Sequence, residues 1–81
     1  MDTSGKPRSL IDLQEGQSGI VLSLNGGRNL TKRLADLGMG PGTRITVLRT
    51  SLFSGPVQVE VTGSKLVLGR GLASKILVEP R

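Results

Sequence analysis

The stretch that decides the fold is residues 30–42, which read Leu30-Thr31-Lys32-Arg33-Leu34-Ala35-Asp36-Leu37-Gly38-Met39-Gly40-Pro41-Gly42. Leu30, Leu34 and Leu37 recur at the spacing of one face of a helix. Asn29 stands immediately before them and is a residue type that caps helix N-termini well. The pattern therefore predicts a helix of about two turns over residues 30–37, with its three leucines directed at the core.

The exit of this helix carries a signature of its own. Gly38 stands where a Schellman motif needs a residue with positive φ, and Met39 would then cover Leu34. Pro41 follows at the usual distance beyond a helix end, and Gly42 completes a tight turn over residues 40–43. These residues are expected to set backbone geometry and helix docking rather than to carry chemistry.

Basic residues gather on and beside the predicted helix. Arg28 precedes it, Lys32 lies on its outer face and Arg33 flanks the leucines. Because the leucines hold the helix in place, these three cations are the residues that we expect to touch a partner. A second candidate contact is Leu52 with Phe53, in a predicted loop between two strands. The alternative is that Phe53 folds back onto the domain and plugs the barrel.

Away from the helix, the chain alternates in the manner of short strands. Val57, Val59 and Val61 form the cleanest period-two pattern, and Gly63 with Ser64 fits a type II′ hairpin turn. Five strands are predicted, over residues 19–24, 44–50, 57–62, 65–68 and 76–79. This is a mainly β domain of about five strands, a small barrel or sandwich with one or two short helices. Residues 1–8 are polar and are predicted to be a disordered tail before a single domain over 9–81.

Composition excludes several classes of function. The 81 residues contain no Cys, no His and one aromatic side chain. Disulfides, thiolate or imidazole metal sites and the usual general base are therefore absent, and no aromatic platform exists for stacking single-stranded nucleic acid. No catalytic residue, cofactor or metal site is expected. No segment is apolar enough for a membrane span or a signal peptide, so the expected location is cytoplasmic.

The net charge of +5 leaves the kind of partner open. Such a charge suits an acidic protein, an anionic membrane surface or RNA. A small nucleic-acid-binding barrel is the alternative to a protein-binding module, and it predicts salt-dependent retention on RNA or DNA.

The spacing of all these pieces resembles one known family. The matching residues are Leu10, Leu13, Gly16, Gly19 and Val21, then the string Arg33-Leu34-x-x-Leu37-Gly38-Met39-x-Pro41-Gly42-x-x-Ile45-x-Val47, then Gly55-Pro56-Val57-x-Val59-x-Val61-x-Gly63, and finally Leu66, Leu68, Ala73, Ile76 and Val78. This pattern resembles FeoA, the small ferrous iron transport protein A of bacteria, over residues 9–79.

The resemblance implies an SH3-like β-barrel and a role in protein contact rather than catalysis. It further implies a partner, the membrane permease FeoB, whose cytosolic G domain binds GTP. The same pattern is similar to the C-terminal domain of metal-responsive repressors, so a stand-alone relative of that domain is the remaining alternative. The family is also associated with metal-ion binding, for which this sequence offers no His or Cys ligand.

Overall fold

The fold is one antiparallel sheet accompanied by two α-helices and a short 3₁₀ helix (Leu10–Asp12), as seen in a computed structural model that describes residues 6–50 and 55–81. The strands are β1 (Arg8–Ser9), β2 (Ser18–Leu24), β3 (Arg44–Arg49), β4 (Val57–Val61), β5 (Ser64–Leu68) and β6 (Ile76–Pro80). Helix α1 (Gly27–Asp36) connects β2 to β3, and helix α2 (Arg70–Ser74) connects β5 to β6. The strand order is β1-β6-β2-β3-β4-β5. The predicted mainly β fold with short helices is confirmed.

Alternation along the central strands builds the core. Val57, Val59 and Val61 of β4 are buried, and Ile45 and Val47 of β3 lie opposite the last two of them. Such β-branched side chains suit a pleated surface that is buried on one face. They pack with aliphatic residues from the remaining elements, including Leu10, Leu13, Val21, Leu34, Met39, Leu68, Ala73, Ile76 and Val78.

Strand β2 departs from simple alternation. The apolar positions 20, 22 and 24 suggest a common face, but Val21 is the residue in the core, while Leu22 is 38% exposed. A bulge between Val21 and Ser23 shifts the pairing of β2 with β6. A bulge places two residues opposite one and redirects the side chains that follow, so period-two patterning alone cannot find the buried face here.

Helix α1 begins earlier than predicted. Its first residue is Gly27 and its N-cap is Gly26, which provides no side-chain cap. Asn29 therefore lies inside the helix, and its prediction as N-cap is wrong. Leu30 packs directly over Gly26, where an added Cβ would overlap the leucine side chain. The absence of a side chain at Gly26 thus leaves room for this close approach of Leu30.

The end of α1 confirms the predicted Schellman motif. The Met39 amide donates to the Leu34 carbonyl at 2.8 Å, and the Gly38 amide donates to the Ala35 carbonyl at 3.0 Å. Gly38 has φ +82°, a conformation that glycine adopts without the steric cost of a side chain. Met39 and Leu34 are both buried in the same core. The chain therefore reverses sharply and returns to the sheet.

The β4–β5 hairpin differs from its prediction by one residue. Val61 pairs with Ser64, so the two-residue turn is Thr62–Gly63 rather than Gly63–Ser64. Both turn residues have positive φ, 47° at Thr62 and 83° at Gly63, which is the type I′ pattern. Threonine rarely adopts positive φ, so its presence at position 62 did not indicate a turn residue in the sequence.

The sixth strand, β1, was not predicted. Its two residues pair with Leu77 and Val78 of β6, and it begins at Arg8, inside the range assigned to the tail. The preceding residues offer no alternation, so a pairing this short is not visible in sequence.

Candidate partner-binding surface

Backbone hydrogen bonds hold the chain to neighbouring elements both before and after helix α1. Its start follows β2 directly, and the Asn25 amide donates to the Lys75 carbonyl at 2.8 Å. Beyond its end, the turn over residues 40–43 returns to β2: the Gly42 amide donates to Val21 at 2.7 Å, and the Val21 amide donates to Thr43 at 2.9 Å. Both ends of the helical excursion are therefore anchored by backbone hydrogen bonds.

Only one residue of α1 is fully buried, and this corrects the sequence interpretation. Leu34 is 2% exposed, Leu30 is half-buried, and Leu37 is 44% exposed. Leu37 was expected to hold the helix on the barrel. It is instead the C-cap, one residue past the helix, and Met39 fills the core position after the chain reverses. Leu37 therefore presents an apolar side chain to solvent at the end of the helix.

The three predicted partner-binding cations of α1 are all exposed. Arg28, Lys32 and Arg33 lie on the solvent side of the helix. An ion pair joins Arg81 to Glu79 at 3.1 Å, away from the three cations of α1. Arg33 is spaced three residues from Leu30 and four from Leu37, so it borders the leucine stripe. Basic side chains along α1 and the apolar side chain just past its end are thus exposed, and we call these four residues the α1 surface: Arg28, Lys32, Arg33 and Leu37.

The second predicted contact, Leu52 with Phe53, lies outside the described residues. The strand before it ends at a defined position, because the Thr50 amide donates to Glu15 Oε2 at 3.0 Å. Glu15 thereby joins the turn in which it lies to the end of β3.

No metal centre forms within residues 6–50 and 55–81, where no three potential metal-ligating side chains lie together. The whole chain also lacks His and Cys, so it offers no imidazole or thiolate ligand to a metal ion. In the same residues, no helix has the length and apolar character needed to cross a membrane.

Sequence reasoning missed a second feature, on the outer face of the hairpin β4–β5. Val67 is 61% exposed, the largest exposed fraction among the described large hydrophobic residues. It lines a shallow pocket of about 170 Å³ with Arg49, Thr50, Pro56 and Gln58. The alternation of β5 would have revealed Val67, because Leu66 and Leu68 occupy the inward positions.

Comparison with known proteins identifies the family that shares this architecture. The model of the FeoA domain matches residues 8–80. A candidate Fe(2+) transport protein A from Methanocaldococcus jannaschii is 38% identical over 66 residues, covering 82% of this chain and 78% of that protein.

Solved structures agree with this match. The crystal structure of an iron uptake regulatory protein, FeoA, is 32% identical, with a TM-score of 0.84 over 94% of this chain and 99% of that one. A manganese-dependent transcriptional repressor is 23% identical with a TM-score of 0.83, covering 95% of this chain and 43% of the repressor; it shares the fold alone. The predicted family is confirmed: the chain belongs to the FeoA family.

Proposed function

We propose that this protein is a non-enzymatic accessory and regulatory protein of ferrous iron uptake that acts on the cytosolic side of the membrane. Its partner is the cytosolic part of a FeoB-type, GTP-binding permease, and iron is the permease's cargo rather than a ligand of this chain. Membership of the FeoA family supports a role in ferrous iron uptake, as does the likeness to an iron uptake regulatory protein.

The observation that carries the proposal is the α1 surface. Arg28, Lys32 and Arg33 are exposed along α1, and Leu37, which is 44% exposed, lies just past the helix end, four residues after Arg33. Protein interfaces favour arginine and apolar side chains at their centre, while exposed cations steer and orient an acidic partner. Leu52 and Phe53 are proposed as a second apolar contact with the same partner.

A binding role rather than catalysis is supported by the interior. Of the described residues, no polar or charged side chain is buried. General acids, bases and nucleophiles are usually tuned by burial and by specific partners, and this chain also lacks the His and Cys that most often perform these roles. The exposed surface is therefore where its function is expected to lie.

Co-purification tests the proposed function. Full-length permease from the same organism should retain this protein on an affinity column, and deletion of the protein should change the rate of Fe²⁺ uptake into cells. Retention should be measured with and without guanine nucleotide, because the G domain of the permease changes its state with the bound nucleotide. Failure to co-purify in every nucleotide state, together with unchanged uptake in the deletion strain, contradicts the proposal.

Leu37→Ala should weaken permease binding without loosening the fold. Truncating a leucine that becomes partly buried in an interface costs about 1 kcal/mol, or roughly fivefold in Kd. Its side chain is 44% exposed in the free protein, so the free energy of unfolding should change by less than about 0.5 kcal/mol. A binding titration and a thermal melt check both parts, and unchanged affinity removes Leu37 from the contact surface.

A further inference from the structure

Within residues 6–50 and 55–81, the sheet ends at β5, and no further strand pairs with this edge. In the strand order β1-β6-β2-β3-β4-β5, the described residues supply β5 with one neighbour, β4. The opposite edge strand, β1, has only two residues, whereas β5 has five. A strand edge of this length presents unpaired backbone N–H and C=O groups on which another extended chain can add.

The register identifies which backbone groups face outward. Val61 pairs with Ser64 directly beside the two-residue turn, and Glu60–Lys65, Val59–Leu66 and Gln58–Val67 follow. In such a hairpin the pair next to the turn exchanges both hydrogen bonds, and hydrogen-bonded pairs then alternate with pairs that exchange none. Lys65 and Val67 belong to the second kind, so their amides and carbonyls point away from β4 toward the open edge.

The side chains on this edge select a particular kind of occupant. Val67 is 61% exposed and Lys65 is exposed, both on the outer face of β5. Behind Val67 lies the shallow pocket lined in part by Arg49 and Gln58, which occupy the same cross-strand row as Val67. An added strand would therefore meet an apolar position and a cationic position, two residues apart on one face.

Charge distinguishes between a foreign segment and a second copy of this chain. Strand β5 itself carries Lys65 and no acidic residue, while Glu60 of β4 lies across from Lys65. Two copies joined at β5 would bring together two chains that each carry a net charge of +5, and like charges on neighbouring strands are destabilising. An acidic segment would be attracted to this edge, whereas a second copy of the chain would be repelled.

We propose that β5 is a docking edge for an extended, acidic segment of a partner protein, which adds to the sheet as a further strand. The segment accepts and donates backbone hydrogen bonds at Lys65 and Val67. It places a carboxylate beside the Lys65 ammonium and an apolar side chain beside Val67. This site is separate from the α1 surface and does not rest on the proposed function.

A synthetic peptide tests the docking edge on the intact chain. The probe is a capped peptide of sequence Glu-Thr-Glu-Val-Val-Val-Glu-Thr, which has an acidic and apolar outer face when extended. In NMR titrations the amides of Lys65 and Val67 should shift, and their hydrogen exchange should slow by about tenfold at saturation as they become hydrogen-bonded. The same peptide with methylated backbone amides should not bind, because it cannot form the edge hydrogen bonds.

Two variants separate edge pairing from general attraction between charges. Val67→Pro removes an N–H that points away from β4, so the hydrogen bonds between β4 and β5 remain. Proline is tolerated on an edge strand in this orientation. The variant should weaken peptide binding by about tenfold or more. Lys65→Glu should weaken binding by about fivefold, whereas Lys75→Glu, the matched control, should change Kd by less than about twofold.

The outcomes decide the proposal even if Val67→Pro fails to fold, because the methylated peptide and Lys65→Glu test the same edge. Shifts confined to α1, or equal binding by the methylated peptide, overturn it. A concentration-dependent dimer in sedimentation that Val67→Pro abolishes also overturns it, because a second copy would then be the occupant of the edge.

Discussion

Leu34→Ala should lower the free energy of unfolding by about 3 kcal/mol, within the range of buried leucine truncations. Leu34 is 2% exposed, and it is the one fully buried residue of α1. The substitution removes apolar contact area and leaves a cavity beneath the helix. For a domain of this size, a loss of 3 kcal/mol lowers Tm by about 12–24 °C.

The matched control is Leu37→Ala, the same substitution three residues later. Because Leu37 is 44% exposed, its truncation should change Tm by only a few degrees. Thermal melts followed by circular dichroism compare the two variants. Hydrogen exchange adds a local readout, since α1 amides should lose protection in Leu34→Ala before the central strands do. Equal Tm values for the two variants would contradict the assignment of Leu34 as the helix anchor.

Reversal of the three α1 cations should remove most of the affinity for the permease. In the variant Arg28→Glu, Lys32→Glu, Arg33→Glu, attraction to an acidic surface becomes repulsion, and we expect a loss of about 2 kcal/mol, or roughly 30-fold in Kd. Binding to immobilised cytosolic domain of the permease measures this change.

The fold should survive this reversal. All three side chains are exposed, and surface substitutions usually change stability by no more than about 0.5 kcal/mol. A glutamate at position 32 would lie four residues from Asp36 and be slightly unfavourable, whereas one at position 28 would suit the positive end of the helix dipole.

The control for charge is a second triple variant, Lys6→Glu, Arg44→Glu, Lys75→Glu. These side chains are also exposed, lie outside α1 and change the net charge by the same amount. The control should retain an affinity within a few-fold of the unmodified chain. Equal losses in the two variants would mean that net charge, rather than the α1 surface, governs binding.

Local signals explain what the sequence predicted correctly about the site. A glycine at position 38 followed by an apolar residue at 39 specifies a backbone reversal whose hydrogen bonds all fall within one helical turn. The strands of the β4–β5 hairpin were equally visible, because Val57, Val59 and Val61 alternate without interruption. Each of these features depends on neighbours within a few residues.

The errors arose where packing or strand order, rather than residue type and spacing, decided the outcome. Leu37 has the spacing of a core residue, but the reversal at Gly38 brings Met39 into the core instead. Asn29 has the chemistry of a cap, but packing of Leu30 over Gly26 begins the helix earlier. The open edge at β5 depends on strand order, which periodicity within a single strand does not encode.

The most direct measurement is an isothermal titration of this chain into the purified cytosolic domain of the FeoB permease from the same organism, at low and at high salt. We expect binding at low salt that weakens as salt screens the α1 cations, since the Debye length falls from about 30 Å at 0.01 M to about 8 Å at 0.15 M. We also expect little heat from the Arg28, Lys32 and Arg33 reversal under the same conditions. No binding at low salt, or an affinity independent of salt and of these three residues, would contradict the proposed contact between the α1 surface and the permease.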